Sequence, residues 1–245
     1  PGLFSADPRR IPQARLLTGV DYDEALEMAA SGARVVHPRS IRAAGATETP
    51  LMIRDLSRQE AGGTRISAGQ SAARGIKTIT CQEHMAVMLL QNLDARQQVG
   101  FLAGVFDVFR RRGVSIDLVA TSETTTTVAL NRDSNHLGDQ ELLSLAEDLK
   151  SLCRVDLFKD CVCVNLVGHG ASSALSRLQD VMRHFEEHPL LMLSQSANDL
   201  CLSLLVRAGD EEPLLHGAHR ALIPGPDEQA DGVFGPFWED IRDAS

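Results

Sequence analysis

The sequence predicts an α+β chain: two βαββαβ units that exchange one strand, preceded by the end of a larger α/β domain. Three observations carry this expectation. Strand and helix periodicities alternate regularly from Gly75 onward. The alternation occurs twice: DVFR at 107–110 returns as DVMR at 180–183, and TSETTT at 121–126 faces SQSAND at 194–199, each 73 positions on. An apolar strand, Ile76–Cys81, precedes the first copy, whereas the second copy lacks a closing strand after its last helix.

Residues 1–67 have their own character. PGLFSADPRRIP is a turn-rich opening loop. Asp21 then precedes YDEALEMAASGA with Glu24 three residues on, a capping box in which Asp replaces Ser or Thr. The helix is expected to stop at Gly32 and to bury Ala25, Leu26, Met28 and Ala29. ARVVHPRSI reads as a short strand or helix cap broken at His37 and Pro38, because a residue before proline avoids the α region. A strand at Pro50–Arg54 leads to the Gly62, Gly63 turn. These elements are too few to close a core, so the segment reads as the tail of a larger α/β domain. Residues 68–74, rich in Ser, Ala and Gly, read as a linker.

The first unit covers residues 83–159. Met85–Leu90 is a strand after a turn at Gln82–His84, and Phe101–Arg112 a helix burying Phe101, Leu102, Val105, Phe106 and Phe109. Val114–Ala120 and Thr124–Leu130 are β-branched strands. A helix from Asp139 to Leu152 and a strand at Arg154–Phe158 complete the unit. The second unit, 160–222, runs through a strand Cys161–Val167, a helix Ser173–Glu187, strands Leu190–Ser196 and Leu200–Val206, and a helix Glu211–Leu222. The spare segment 75–81 is expected to complete it, joining both units in one body. Residues 223–245 hold three prolines and six acids against one arginine and read as a flexible tail or interdomain linker. Phe234, Phe237 and Trp238 are too apolar for a pure spacer and leave docking open.

Composition excludes several function classes. The net charge of −9 over 245 residues, with no long basic run, argues against nucleic acid or an anionic membrane as the partner. Arg110–Arg112 close a helix, where cations complement its dipole. No apolar run reaches membrane-spanning length and no signal peptide is visible, so a cytoplasmic protein is expected. The chain begins at Pro1 without an initiator methionine and reads as a fragment or a processed product. Its five cysteines contain no CxxC spacing, so reduced, buried thiols and no metal site are expected.

No catalytic constellation stands out. His37 and His84 have no nucleophile at a recognised spacing, no Walker-type phosphate loop is present, and Gly168-His169-Gly170 needs to be no more than a tight turn. The case for a ligand rests on Gly100–Glu123. The helix opening after Gly100 offers unpaired amides to a carboxylate. Ser115 and Asp117 share one strand face, and Asp117 would hold an ammonium group while Ser122 and Glu123 close the site. That set fits a free amino acid. An ordinary N-cap beside a solvent-facing acid is the competing reading. The position 73 residues beyond Asp117 is Leu190, so a site of this kind belongs to the first unit.

PGLFSADPR, DEALEMAASGARVVHPRS and EAGGTRI together resemble the C-terminal part of an aspartate kinase catalytic domain, of the α/β amino-acid-kinase class. GFLAGVFDVFRRRGVSIDLVATSE resembles the lysine-sensing helix and strand of that family's paired, ferredoxin-like ACT domains. The resemblance covers residues 1–222. It implies a parent enzyme that phosphorylates L-aspartate to 4-phospho-L-aspartate with ATP and Mg, on the route to lysine, threonine and methionine. It also implies feedback inhibition by L-lysine and a homodimer formed through ACT domains. Carried over, Phe4, Asp7 and Arg9 line the nucleotide site, and Arg34 stands where the family usually has a phosphate-touching lysine. Arginine keeps that charge but not its geometry. Gly100, Phe101 and Leu102 supply backbone contacts to the effector, with Ser115, Asp117, Ser122 and Glu123 as polar lining. The glycine-rich kinase motif and the catalytic lysine are missing, so this stretch alone carries no catalytic residue and holds no cofactor. The end of the chain resembles the join to diaminopimelate decarboxylase, which would bring pyridoxal phosphate. An ACT pair that only dimerises, without an effector, is the alternative.

Overall fold

The computed structural model describes residues 2–33, 35–56, 62–69, 74–92, 99–225 and 232–243. In the N-terminal part, β1 (Arg15–Leu17) and β2 (Gly19–Val20) lead into α1 (Tyr22–Ala30). The capping box forms: Asp21 Oδ1 accepts from the Glu24 N–H at 2.7 Å and Glu24 Oε2 accepts from the Asp21 N–H at 3.2 Å. A second helix, α2 (Pro38–Ala46), occupies a stretch expected as a strand or broken cap. Pro38 stands in its first turn, where a missing N–H is harmless, and His37 Nδ1 accepts from the Arg39 N–H at 3.1 Å. β3 (Leu51–Ile53) and β4 (Thr64–Ile66) complete a three-stranded sheet in the order β2-β4-β3. Much of the expected linker, residues 70–73, lies outside the described residues.

The rest of the chain is organised by two long strands. β5 (Thr78–Gln91) is followed by α3 (Phe101–Arg112), β6 (Leu118–Thr121), β7 (Thr125–Asn131), α4 (Asp139–Lys150) and β8 (Arg154–Val167). Then come two short helices, α5 (Ala174–Arg177) and α6 (Gln179–Met182), β9 (Met192–Gln195), β10 (Cys201–Arg207) and α7 (Glu211–Leu222). One six-stranded sheet runs β6-β7-β5-β8-β10-β9, antiparallel at every pairing. β5 pairs with β8 from Thr78↔Val167 to Gln91↔Arg154, so the first half of β5 lies beside the second repeat's opening strand.

Several expectations change here. The proposed turn at Gln82–His84 is a bulge inside β5, where the register shifts and His84 takes φ 56°. The strand pairs on both sides of the bulge, so there is one strand and not two. The same partner makes Arg154–Phe158 and Cys161–Val167 a single strand. β6 begins at Leu118 and not at Val114. The expected helix Ser173–Glu187 is a chain of short helical and 3₁₀ turns over 171–186, interrupted at Leu178. Among the described side chains of this run only Ala171, Ala174 and Leu178 are fully buried, too few to hold a continuous helix on the sheet. α3, by contrast, buries Val105, Val108 and Phe109, each worth about 1.5–3 kcal/mol.

Residues 234–243 are not a free tail. β11 (Phe234–Phe237) pairs antiparallel with β1, and α8 (Trp238–Asp243) follows it. The second repeat shares one core with the N-terminal loop, in which Ala6, Ile11 and Ala14 join Leu166, Leu204 and Leu215. The first repeat has a core of its own around Met88, Phe109 and Leu149. All five cysteines are unbridged. Among the described residues no helix is long and apolar enough to cross a membrane.

Candidate functional site

Gly100 takes φ +95°, a left-handed conformation, and a Cβ placed there would meet nothing within 4 Å. Backbone geometry, not space, therefore selects glycine at this helix start. The amides that follow, from Phe101 to Ala103, have no partners within the helix. They border a pocket of about 410 Å³ whose other wall is Thr121, Ser122 and Glu123 at the end of β6. Gly100, Phe101, Leu102, Ser122 and Glu123 thus come together. The Ser122 hydroxyl is 2.7 Å from that of Thr125, and the Ser122 N–H donates to the Thr125 carbonyl at 2.8 Å. Thr124–Thr126 and Asn92 also line the pocket. The threonine run was visible in the sequence as a strand but carried no site signal.

Asp117 and Ser115 lie elsewhere. Asp117 precedes β6 and Ser122 follows it, so the five residue steps along the strand separate the two by roughly 16 Å. A helix runs antiparallel to the strands that flank it in such a unit. Its start therefore sits beside the end of the next strand, where Ser122 is, and away from its beginning. Asp117 Oδ2 accepts from the Asn131 N–H at 2.7 Å, and the Asp117 N–H donates to the Ala129 carbonyl at 3.0 Å. Partial burial pushes its carboxyl above the usual range, against the pull of the Asn131 amide. Asn135 holds both the N–H and the carbonyl of Ser115, at 2.6 and 3.0 Å. An α-amino acid bound at Gly100 cannot reach Asp117 of the same chain.

Asp117 instead lines a larger cleft of about 960 Å³, as do Phe4, Asp7 and Arg9. Arg9 Nε and Nη2 clamp Asp7 at 3.0 and 2.7 Å and hold its carboxyl below the usual range. The Arg9 side chain is nevertheless 90% exposed, so its guanidinium remains open to a second anion. Arg10 reaches Glu83 at 3.2 Å and Glu212 at 2.5 Å, a network spanning three segments of the chain. Arg34 lies outside the described residues. The loop carrying Phe4 and Asp7 is bound on several sides. The Ser5 hydroxyl is 2.9 Å from His219 Nε2, the Ile79 N–H donates to the Ser5 carbonyl, and the Thr78 hydroxyl donates to the Phe4 carbonyl at 2.7 Å. Burial lowers the His219 pKa to about 4, so the ring is neutral at pH 7.

A third cluster stands where α1 meets the second repeat. Lys77 Nζ donates to Glu24 Oε2 at 2.6 Å, with the side chains 2% and 0% exposed. His169 Nε2 lies 2.6 Å from Asp21 Oδ2. Ligand atoms of Asp21, Glu24 and His169 fall within 4.8 Å of one another. Lys77 already supplies the cation there, so an ion-pair junction describes the cluster better than a metal site.

The model of the amino acid kinase family matches residues 1–55. Lysine-sensitive aspartokinase 3 of Escherichia coli is 29% identical over 225 residues, which is 91% of this chain and 50% of that protein. Chloroplastic aspartokinase 1 of Arabidopsis thaliana is 30% identical over 232 residues, 92% of this chain and 41% of that one. This chain is similar to aspartate kinases. The crystal structure of E. coli aspartokinase III with lysine and aspartate, in the T-state, superposes with a TM-score of 0.75 at 28% identity, covering 91% of this chain and 50% of that one. The mixed α/β fold is therefore that of aspartate kinase structures. The chain spans about half the length of the curated relatives it matches.

Proposed function

We propose that this chain is the end of the catalytic domain of an aspartate kinase, followed by its paired ACT regulatory domains, and that the Gly100 pocket senses L-lysine. The parent enzyme would transfer the γ-phosphoryl group of Mg-ATP to the β-carboxylate of L-aspartate. The strand orders β6-β7-β5-β8 and β5-β8-β10-β9, each with helices between strands in βαββαβ sequence, support two ferredoxin-like units that exchange the first half of β5. Phe4, Asp7 and Arg9 on one cleft support a nucleotide site. Its volume is ample, and an open guanidinium stands ready for phosphate.

The observation that carries the sensing proposal is the separation of Gly100 from Asp117 along an edge strand. No strand pairs with the outer side of β6 among the described residues. A second copy pairing antiparallel through its own β6, about a two-fold axis, would bring the Asp117 end of one chain beside the Ser122 end of the other. The amides at Gly100 would then take the carboxylate and the partner's Asp117 the ammonium group. Lysine would stabilise one arrangement of the pair, and differential affinity for two arrangements would make it an inhibitor.

Calorimetry with lysine on the dimeric protein should show saturable binding, weakened at least tenfold by Asp117→Ala, with dimerisation measured in parallel by sedimentation. A dimer that gives no heat with lysine, threonine or methionine would leave a purely structural ACT pair and overturn the sensing role. A diaminopimelate decarboxylase fused after this stretch belongs to the same proposal and rests on the resemblance of FGPFWEDI. Decarboxylation of diaminopimelate by the full-length protein with pyridoxal phosphate checks it.

A further inference from the structure

The segment at the end of the chain is fastened to the N-terminal loop with unusual thoroughness. The Thr18 N–H donates to the Val233 carbonyl at 2.8 Å, and the Trp238 N–H to the Ala14 carbonyl at 2.8 Å. Arg15 is committed to this segment: its guanidinium donates to the carbonyls of Pro224, Phe234 and Gly235 at 3.1–3.2 Å. The same guanidinium lies over the Phe234 and Phe237 rings, 5.7 and 4.9 Å from their centroids. A solvated linker needs none of these.

The strap ends on a specific contact. The Trp238 ring meets the Phe4 ring edge-on, with centroids 5.6 Å apart and planes at 88°. This is a favoured geometry for an aromatic pair. Phe4 is also bridged to Leu16, has its carbonyl held by the Thr78 hydroxyl, and lines the larger cleft beside Asp7 and Arg9. A cation and an aromatic ring on one cleft wall suit a ligand that has an anionic group and a planar face. A ring already locked from behind loses no rotamer freedom when such a ligand packs on it.

We propose that residues 232–243 brace the cleft wall without lining the cleft themselves, and that Trp238 is a positioning residue that fixes Phe4 and thereby raises affinity for the nucleotide. This rests on the nucleotide reading of the cleft given above. The test uses the full-length enzyme and separates KM for ATP from kcat. Trp238→Leu should raise KM for ATP roughly 2- to 10-fold, leaving kcat and KM for aspartate unchanged. Trp238→Phe, which keeps a ring edge, should restore most of the affinity. In a Phe4→Ala background Trp238→Leu should add nothing further. If Trp238→Leu does not fold, Trp238→Met gives the same reading. A raised KM for ATP in Phe4→Ala with no change in Trp238→Leu would overturn the strap and leave the nucleotide site standing. No change in either variant would overturn the nucleotide reading, and the strap inference with it.

Discussion

The two repeats begin from one sequence pattern and end in different surroundings. In the first, the helix after the opening strand is a continuous twelve-residue element with left-handed glycines at both ends, Gly100 and Gly113. In the second, the equivalent run is broken at Leu178 and pressed against α7, where Gly217 leaves room for Val181. The first repeat keeps its pocket open. The second is locked to the rest of the chain by a common apolar core, by Lys77–Glu24 and by His169–Asp21. The repeated pattern thus yields one unit with an open pocket beside its helix start and one that serves as the fixed mount.

That contrast predicts where substitutions hurt. Lys77→Met should have the largest effect, because it strands the buried Glu24 carboxylate at the mount. A loss of about 3–5 kcal/mol, or on the order of 10 °C in Tm, is expected. Its counterpart on the first repeat, Arg110→Ala, removes an exposed pair with Asp107 and should move Tm by less than about 2 °C. Calorimetric melts of the two variants side by side decide the point, and equal losses would erase the distinction.

His219 makes the mount sensitive to acid. Unfolded, this histidine takes up a proton near its ordinary value of 6.5; folded, it does so only near pH 4. The unfolded state therefore binds more protons between these values, and stability falls as pH drops through that window, by on the order of 3 kcal/mol from this group. Chemical denaturation across pH 4 to 7 should reveal the slope, and His219→Gln should flatten it.

Two glycines offer the mildest comparison. A Cβ at Gly217 would stand 2.7 Å from Val181 Cγ2, so Gly217→Ala should destabilise by about 1–3 kcal/mol through overpacking at the mount. Gly100→Ala meets no atom but must hold a left-handed backbone, at about 1–2 kcal/mol. Hydrogen exchange should report the first change throughout the second repeat and the second only around the α3 N-terminus.

Much of this was legible residue by residue, because capping and helix periodicity act over a few positions. Asp21 and Glu24 announce α1, Gly100 and Gly113 bound α3, and DVFR and DVMR disclose the duplication. The candidate site was legible in part: Gly100, Phe101, Leu102, Ser122 and Glu123 converge, since they flank neighbouring ends of a helix and a strand. Asp117 did not join them. Alternation along a strand tells which face a residue takes but not which end of the helix lies nearby.

What lay beyond the sequence depends on partners far away along the chain. A bulge or a turn at Gln82–His84 looks the same locally, and only the continuous pairing with β8, more than seventy positions on, makes β5 one strand. The acidic, proline-rich end has the composition of a linker, yet Arg15 and Phe4 supply the surface that folds it down. Lys77 and Glu24 are each unremarkable until burial 53 residues apart in sequence makes them a pair. Local backbone preferences are written in neighbouring residues, whereas desolvation and pairing belong to the assembled chain.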